Sequence, residues 1–272
     1  MRLRMNLFDI AHRYLKIPYT LNVHEFKSPK KPKATYVLIH GIGNTLHSWD
    51  EAVAGLPNDV RVIGIDLLGF GESPKPTWAI YSAKTQARSV ALTLIGLRLV
   101  QQPIIVGHSL GALVSIEIAK RYSIVLKRLV LCSPPFYNPH STTKKIKSTD
   151  DMLKTMYTVA KKYPEQLTKF STTAVKLGLA NKTLTITSDN VGSYIAALES
   201  SIINQTSLQD VATLKVPIDI FYGAFDPVVI KKHITTLAKS KTNVTATRLN
   251  AGHEVTGGYA KSVSKYLSGL LS

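Results

Sequence analysis

The chain has 272 residues, 44% hydrophobic and 19% charged, enough to bury a sizeable core in one large α/β domain or two small ones. A single cysteine, Cys132, excludes an intramolecular disulfide and a cysteine-based zinc site, and 16 glycines with 13 prolines exclude a collagen-like or low-complexity chain. Lys and Arg number 34 against 17 Asp and Glu, and the resulting net charge of +17 bears on association and solubility rather than on chemistry.

Met1 to Asp9 is basic but runs into no continuous apolar stretch with a small-residue cleavage site, so a secretory leader is not expected. Leu3, Leu7, Ile10 and Tyr14 with Arg2, Arg4, Arg13 and Lys16 read as an amphipathic helix, expected to pack on the core rather than lie on a membrane. Ile17 to Phe26 alternates like a hairpin strand, and Ser28 to Lys33 is a solvated turn. Tyr36-Val37-Leu38-Ile39 and Val60 to Ile65 are continuous apolar runs, the pattern of strands buried on both faces of a parallel sheet. They stop at Gly41 and Asp66. Ala83 to Val100 has helical spacing, with Ala87, Val90, Ala91, Leu94, Ile95 and Leu97 on its apolar side. Its most apolar part, Ser89 to Val100, is too short to span a bilayer and carries Arg98, so a soluble, cytoplasmic protein is expected. Ile104-Ile105-Val106 predicts a third buried strand, Leu110 to Tyr122 a helix, and Leu129 to Cys132 a fourth strand ended by Pro134-Pro135.

The alternation then stops. Phe136 to about Ser207 offers only helix-like stretches, at Met152 to Lys162, Pro164 to Leu179 and Val191 to Ile203. It resumes with a strand at Ile218 to Tyr222, a helix at Val229 to Lys239, a strand at Val244 to Leu249 and a helix at Val255 to Leu271. The predicted fold is α/β: a mostly parallel twisted sheet flanked by helices, built from residues 1–135 and 208–272, with a helical cap at 136–207. Such a sheet binds ligands at the carboxyl ends of its strands.

The residues just beyond each strand are therefore the candidates for chemistry. After Ile104-Ile105-Val106 comes Gly107-His108-Ser109-Leu110-Gly111 and then a helix, which is G-x-S-x-G between strand and helix. A nucleophile at the tip of so sharp a turn needs glycine two residues before and two after it. The turn pushes the Ser109 hydroxyl toward the free N–H groups of a helix N-terminus. A serine needs a base, and the base an orienting acid. His253 comes after the last strand and is the candidate base. Asp226 comes after the strand before it and is the candidate acid, in competition with a helix-capping role supported by Pro227 at the first helical position. Glu254 is expected at the surface, pointing away from the base, and Asp66 is expected to hold its turn through its backbone. Backbone N–H groups of Ile42 and Leu110 would receive a developing oxyanion. His40 is expected to brace its loop by hydrogen bonds; His140 and His233 are expected at the surface.

These residues resemble the α/β-hydrolase superfamily, in its form with a helical cap. The carrying segments are His40-Gly41-Ile42-Gly43, Asp66 to Ser73, Gly107 to Gly111, Gly223-Ala224-Phe225-Asp226 and Gly252-His253, and the order Ser, Asp, His matches. The resemblance implies that Ser109 is the nucleophile, His253 the base and Asp226 the acid, with Ile42 and Leu110 as oxyanion donors. Gly41, Gly43, Phe70 and His108 would contact substrate, Phe70 and the cap lining the acyl pocket. Neither a metal nor an organic cofactor is expected. A serine rather than an aspartate at position 109 speaks against epoxide opening and dehalogenation and for acyl transfer to water. The expected activity is hydrolysis of a small carboxylic ester, thioester or lactone through an acyl-enzyme. A carbon–carbon bond hydrolase and a slow-turnover ligand-binding relative are the alternatives. No nucleic-acid motif or basic–aromatic interleaving is present, so the basic charge is read as a solvated surface and the partner as a small acyl substrate.

Overall fold

A computed structural model describes residues 7–137, 157–177 and 181–271. In chain order the first half holds α1 (Leu7–Tyr14), β1 (Val23–Lys27), β2 (Thr35–Ile39), α2 (Asp50–Ala54), β3 (Arg61–Ile65), α3 (Ala83–Gly96), β4 (Ile104–His108), α4 (Leu110–Tyr122) and β5 (Arg128–Cys132). The second half holds α5 (Pro164–Lys176), α6 (Val191–Ala197), α7 (Ser207–Val211), β6 (Ile218–Gly223), α8 (Lys231–Ser240), β7 (Val244–Leu249) and α9 (Gly258–Gly269). Residues 157–162 are also helical; the remainder of the helix expected over Met152 to Lys162, and His140, lie outside the described residues.

Seven strands form one sheet in the order β1-β3-β2-β4-β5-β6-β7. Every neighbouring pair is parallel except β1 with β3. The apolar runs are explained by two cores, one on each face. Val37, Ile39, Ile63, Ile65, Ile105 and Leu129 face α3, α4 and α8, while Tyr36, Leu38, Val62, Val106 and Val130 face α2 and α9. Alternate residues of one strand thus serve opposite cores, and each fully buried aliphatic side chain contributes about 1.5–3 kcal/mol.

Five expectations need correction. The strand expected over Ile17 to Phe26 is confined to Val23–Lys27, and it pairs with β3 rather than forming a hairpin with β2. As an edge strand it pairs on one side only, so its alternation says little about where it starts. The helix from Ala83 stops at Gly96; Arg98 takes a positive φ of 46°, and Ile95 and Val100 are exposed. Two later helices start late: that expected from Val229 begins at Lys231, and that expected over Val255 to Leu271 runs Gly258–Gly269. Finally, α1 forms, but Ile10 and Tyr14 on its apolar side are exposed rather than packed.

Candidate active site

The register aligns the strand ends along one rim. Ile39 lies opposite Gly107, His108 opposite Cys132, Cys132 opposite Phe221, and Gly223 opposite Leu249. Backbone bonds continue the ladder past the strands, from Ser109 N–H to Cys132 O at 3.0 Å, Ser133 N–H to Phe221 O at 2.8 Å, and Ala224 N–H to Leu249 O at 2.7 Å. The first residues beyond these strands are therefore held by the same ladder.

Ser109 stands between β4 and α4 with φ 50° and ψ −114°. That backbone conformation costs an L residue about 1–3 kcal/mol, and the surrounding bonds must hold it. The glycines flanking it are sterically required. A Cβ on Gly107 would stand 2.4 Å from the Gly111 carbonyl oxygen, and one on Gly111 would stand 2.2 Å from that of Ile39. Leu110 is the first residue of α4, so its N–H has no acceptor within the helix. Ile42 lies in the turn closed by the Asn44 N–H on Gly41 O at 3.2 Å.

His253 Nδ1–H donates to Asp226 Oδ2 at 2.8 Å. The other carboxylate oxygen, Oδ1, accepts from the N–H groups of Val228 at 2.8 Å and Val229 at 3.2 Å. Acid and cap do not compete: each role takes one oxygen. The cap is on a turn rather than on a helix, because α8 starts at Lys231. Burial pushes the Asp226 carboxyl up. The bond to and charge of His253, the Val228 N–H and the Ser133 hydroxyl outweigh it and hold the group below the ordinary carboxylate range. For His253, burial disfavours the imidazolium, but the bond to Asp226 and the charges of Asp226 and Glu254 outweigh burial and raise its pKa.

Ser109 and His253 line one cavity of about 170 Å³ with Gly41, Ile42, His108 and Glu254. Leu184, Tyr194, Leu198 and Ile202 close it from the insertion between β5 and β6. A second chamber of about 620 Å³, bordered by Asp50, Glu51, Lys182 and Thr256, shares His253 and Glu254 with the first.

The other expected contacts divide. His108 lines the cavity, and its Nε2–H donates to the His253 carbonyl at 3.0 Å. Burial, aided by the charge of His253, pushes its pKa down to about 3, so it stays neutral and holds the His253 backbone. Gly41 lines the cavity as expected. Gly43 does not. With φ 73° it lets the insertion approach, since a Cβ there would meet Leu184 at 2.7 Å and Tyr194 at 3.0 Å. Phe70 is also displaced from its expected place: fully buried, its ring stands edge-on to His40 with centroids 6.0 Å apart, outside the cavity lining. His40 braces its loop, donating from Nδ1 to Gly41 O at 2.7 Å and accepting at Nε2 from Leu67 N–H at 2.9 Å. Asp66 holds its turn through its carboxylate as well as its backbone, accepting from Leu46 N–H, Glu72 N–H and the Asn22 amide. Half-buried rather than at the surface, His233 donates from Nδ1 to Phe136 O at 2.8 Å.

Sequence reasoning also misplaces Glu254. It lines both chambers, and its Oε2 is sealed from solvent with no hydrogen-bond partner among the described residues. Burial raises its pKa. Neighbours in the chain alternate sides only in a strand, and Glu254 lies in a bend after β7, so period-2 reasoning fails there. The insertion residues do carry a signal that could have found them: Tyr194, Leu198 and Ile202 recur every fourth position, on one helical face. Among the described residues no cluster of His, Cys, Asp and Glu could hold a metal ion.

Comparison with known proteins bears on the fold and the family. The chain is 33% identical over 112 residues to the Arabidopsis thaliana protein named "Probable lysophospholipase BODYGUARD 4", covering 40% of this chain and 27% of that one. The match thus spans about a quarter of that relative's length. An esterase from Exiguobacterium antarcticum superposes with a TM-score of 0.76 at 16% identity, covering 92% of this chain and 95% of the other. The enol-lactonase from Burkholderia xenovorans LB400 superposes with a TM-score of 0.69 at 19% identity, covering 92% and 96%. Residues 36–255 match the family described as alpha/beta hydrolase fold, and with the seven-stranded sheet and the turn at Ser109 this places the chain in the α/β-hydrolase family.

Proposed function

We propose that the chain is a serine hydrolase that cleaves a small carboxylic ester, thioester or lactone through an acyl-enzyme on Ser109. The observation that carries this reading is one cavity lined by both Ser109 and His253, whose imidazole is bonded to Asp226 on its far nitrogen. With Nδ1–H committed to the carboxylate, Nε2 is the nitrogen left to accept a proton. The Ser109 hydroxyl adds to the substrate carbonyl carbon as His253 Nε2 takes its proton, and the carbonyl π electrons move onto oxygen. The N–H groups of Ile42 and Leu110 receive that oxyanion, a contribution of about 3–4 kcal/mol per donor. Collapse of the intermediate breaks the bond to the leaving alcohol, which takes the proton from His253. Water then repeats the sequence on the acyl-enzyme and regenerates Ser109.

The insertion acts as a cap, spanning 136–207. Its Leu184, Leu198 and Ile202 give the inner cavity an apolar wall suited to a short acyl group, while the larger and more polar chamber beside His253 would take the leaving alcohol. That chamber also borders His253, which hands the alcohol its proton. The names of the relatives, esterase, lactonase and lysophospholipase, support acyl-transfer chemistry of this class.

Labelling with a fluorophosphonate, followed by peptide mapping, tests the assignment together with a series of aryl esters of increasing acyl length. The expected result is a single adduct on Ser109 and multiple turnover that favours the shorter chains. An adduct elsewhere, or acylation of one equivalent without turnover, overturns it.

A further inference from the structure

The amphipathic α1 is the exposed feature that the reaction at Ser109 does not use. Its apolar side carries Ile10 and Tyr14, continued by Leu15 and Ile17, and all four are exposed: Tyr14 is 64% and Leu15 72% accessible. On a second segment Ile80 is 70% accessible, and it lines one groove with Ile17. Real contacts join the two segments. The His12 ring stacks on Tyr19 at 3.7 Å, Tyr19 meets Trp78 at 6.1 Å, and Arg88 donates to the Lys16 carbonyl at 2.9 Å. Between them lies a groove of about 240 Å³ floored by Leu68 and Trp78. Solvent-facing large apolar side chains on a helix are costly, and gathered in a patch they mark a surface that something covers.

Charge says what. Residues 7–22 and 78–88 carry Arg13, Lys16, Lys84 and Arg88 against one carboxylate, Asp9. A protein partner would need an acidic apolar groove; a bilayer of anionic lipids supplies both chemistries over a flat area. We infer that the face formed by α1 and the 78–88 segment docks on a membrane surface rich in anionic headgroups. The apolar side chains enter the headgroup–acyl boundary, and the cations stay among the phosphates. The helix lies in the interface and does not cross it; among the described residues no helix is long and apolar enough to do so. The site's own geometry fits such a stance. Ser201 of the insertion bonds the Tyr81 carbonyl at 2.8 Å, so the docked face adjoins the segment that closes the Ser109 cavity.

Co-sedimentation of the full chain with vesicles tests this independently of the hydrolytic reading. Vesicles of phosphatidylcholine with 30% phosphatidylserine are compared with phosphatidylcholine alone at about 0.1 M salt. Binding to the anionic vesicles is expected to be at least about tenfold tighter and to weaken at 0.5 M salt. Leu15→Ser with Ile80→Ser leaves the charge unaltered and should lower binding about tenfold or more, while turnover of a soluble ester stays at the wild-type level. Lys239→Gln with Lys265→Gln, exposed positions outside both segments, removes two charges and should lower binding less than threefold. Equal losses in the two pairs would mean diffuse adsorption of a basic protein and overturn the proposal. So would a concentration-dependent dimer in sedimentation velocity that Leu15→Ser with Ile80→Ser abolishes, because a second copy would then cover the patch.

Discussion

Two histidine–aspartate pairs stand on the same rim and differ in everything that decides reactivity. His40 and Asp66 come directly after β2 and β3, are both buried, and approach no closer than 3.9 Å between Nε2 and Oδ1. Both His40 nitrogens are spent on backbone, and burial lowers its pKa. His253 and Asp226 come after β7 and β6, meet at 2.8 Å, and the imidazole borders a cavity. Its pKa is raised. A base therefore requires more than a carboxylate nearby: one nitrogen must be held by it, and the other left facing space that a substrate can enter. The first pair fixes the loop that carries Ile42; the second holds one imidazole nitrogen while the ring borders a cavity.

Substitutions can break this contrast. The largest effect is expected from His253→Ala, a loss of about 10⁵-fold or more in kcat with a short ester, measured against His40→Ala in the same assay. His40→Ala leaves Leu67 N–H without its acceptor and opens a buried space, so it should cost about 2–4 kcal/mol in denaturant unfolding. The acid limb of its rate profile should stay where it was; a lost limb would make His40 a second base. Next comes Asp226→Asn, expected to lower kcat about 10⁴-fold with the fold retained, because the amide cannot hold the imidazole in the required tautomer. Near wild-type turnover would leave Asp226 as a turn cap only. Asp66→Asn should instead cost about 1–3 kcal/mol of stability and little turnover, since its partners are backbone N–H groups and an amide.

The smallest effect sharpens the contrast further. With His253 as the proposed base, kcat/KM requires its neutral form and should rise with pH through a midpoint above the ordinary histidine value of about 6.5. Glu254→Gln removes a negative charge that favours the imidazolium, and the midpoint should move down, raising kcat/KM about two- to fivefold on the acid side. An unmoved limb would mean that Glu254 carries no charge in the working enzyme.

How far the sequence can be read depends on how each part is held. The central strands are legible because burial on both faces leaves continuous apolar runs, and the residues just beyond them inherit their position from the ladder. Ser109, Asp226, His253 and Gly41 are all reached in that way. β1 is misread because an edge strand needs no such pattern. Phe70 is misplaced because it lies beyond a loop whose path is set by the Asp66 carboxylate, and sequence order does not reveal that network. Glu254 escapes because it sits in a bend. The insertion is legible only as helical: its contacts with the rim are single bonds, such as Thr185 N–H to Gly43 O at 2.9 Å and Thr183 to Asn44 at 3.0 Å. No repeating pattern encodes such contacts.

Gly43 carries a consequence for altering selectivity. Leu184 and Tyr194 in the roof fill the space that a side chain on Gly43 would need, while the same turn holds Ile42 in the floor. Roof and floor share a hinge pin, so enlarging the pocket by trimming the roof would also loosen the amide expected to steady the transition state. Broader acceptance and slower chemistry should then arrive together, unless the far wall at Pro135 and Val228 is carved instead.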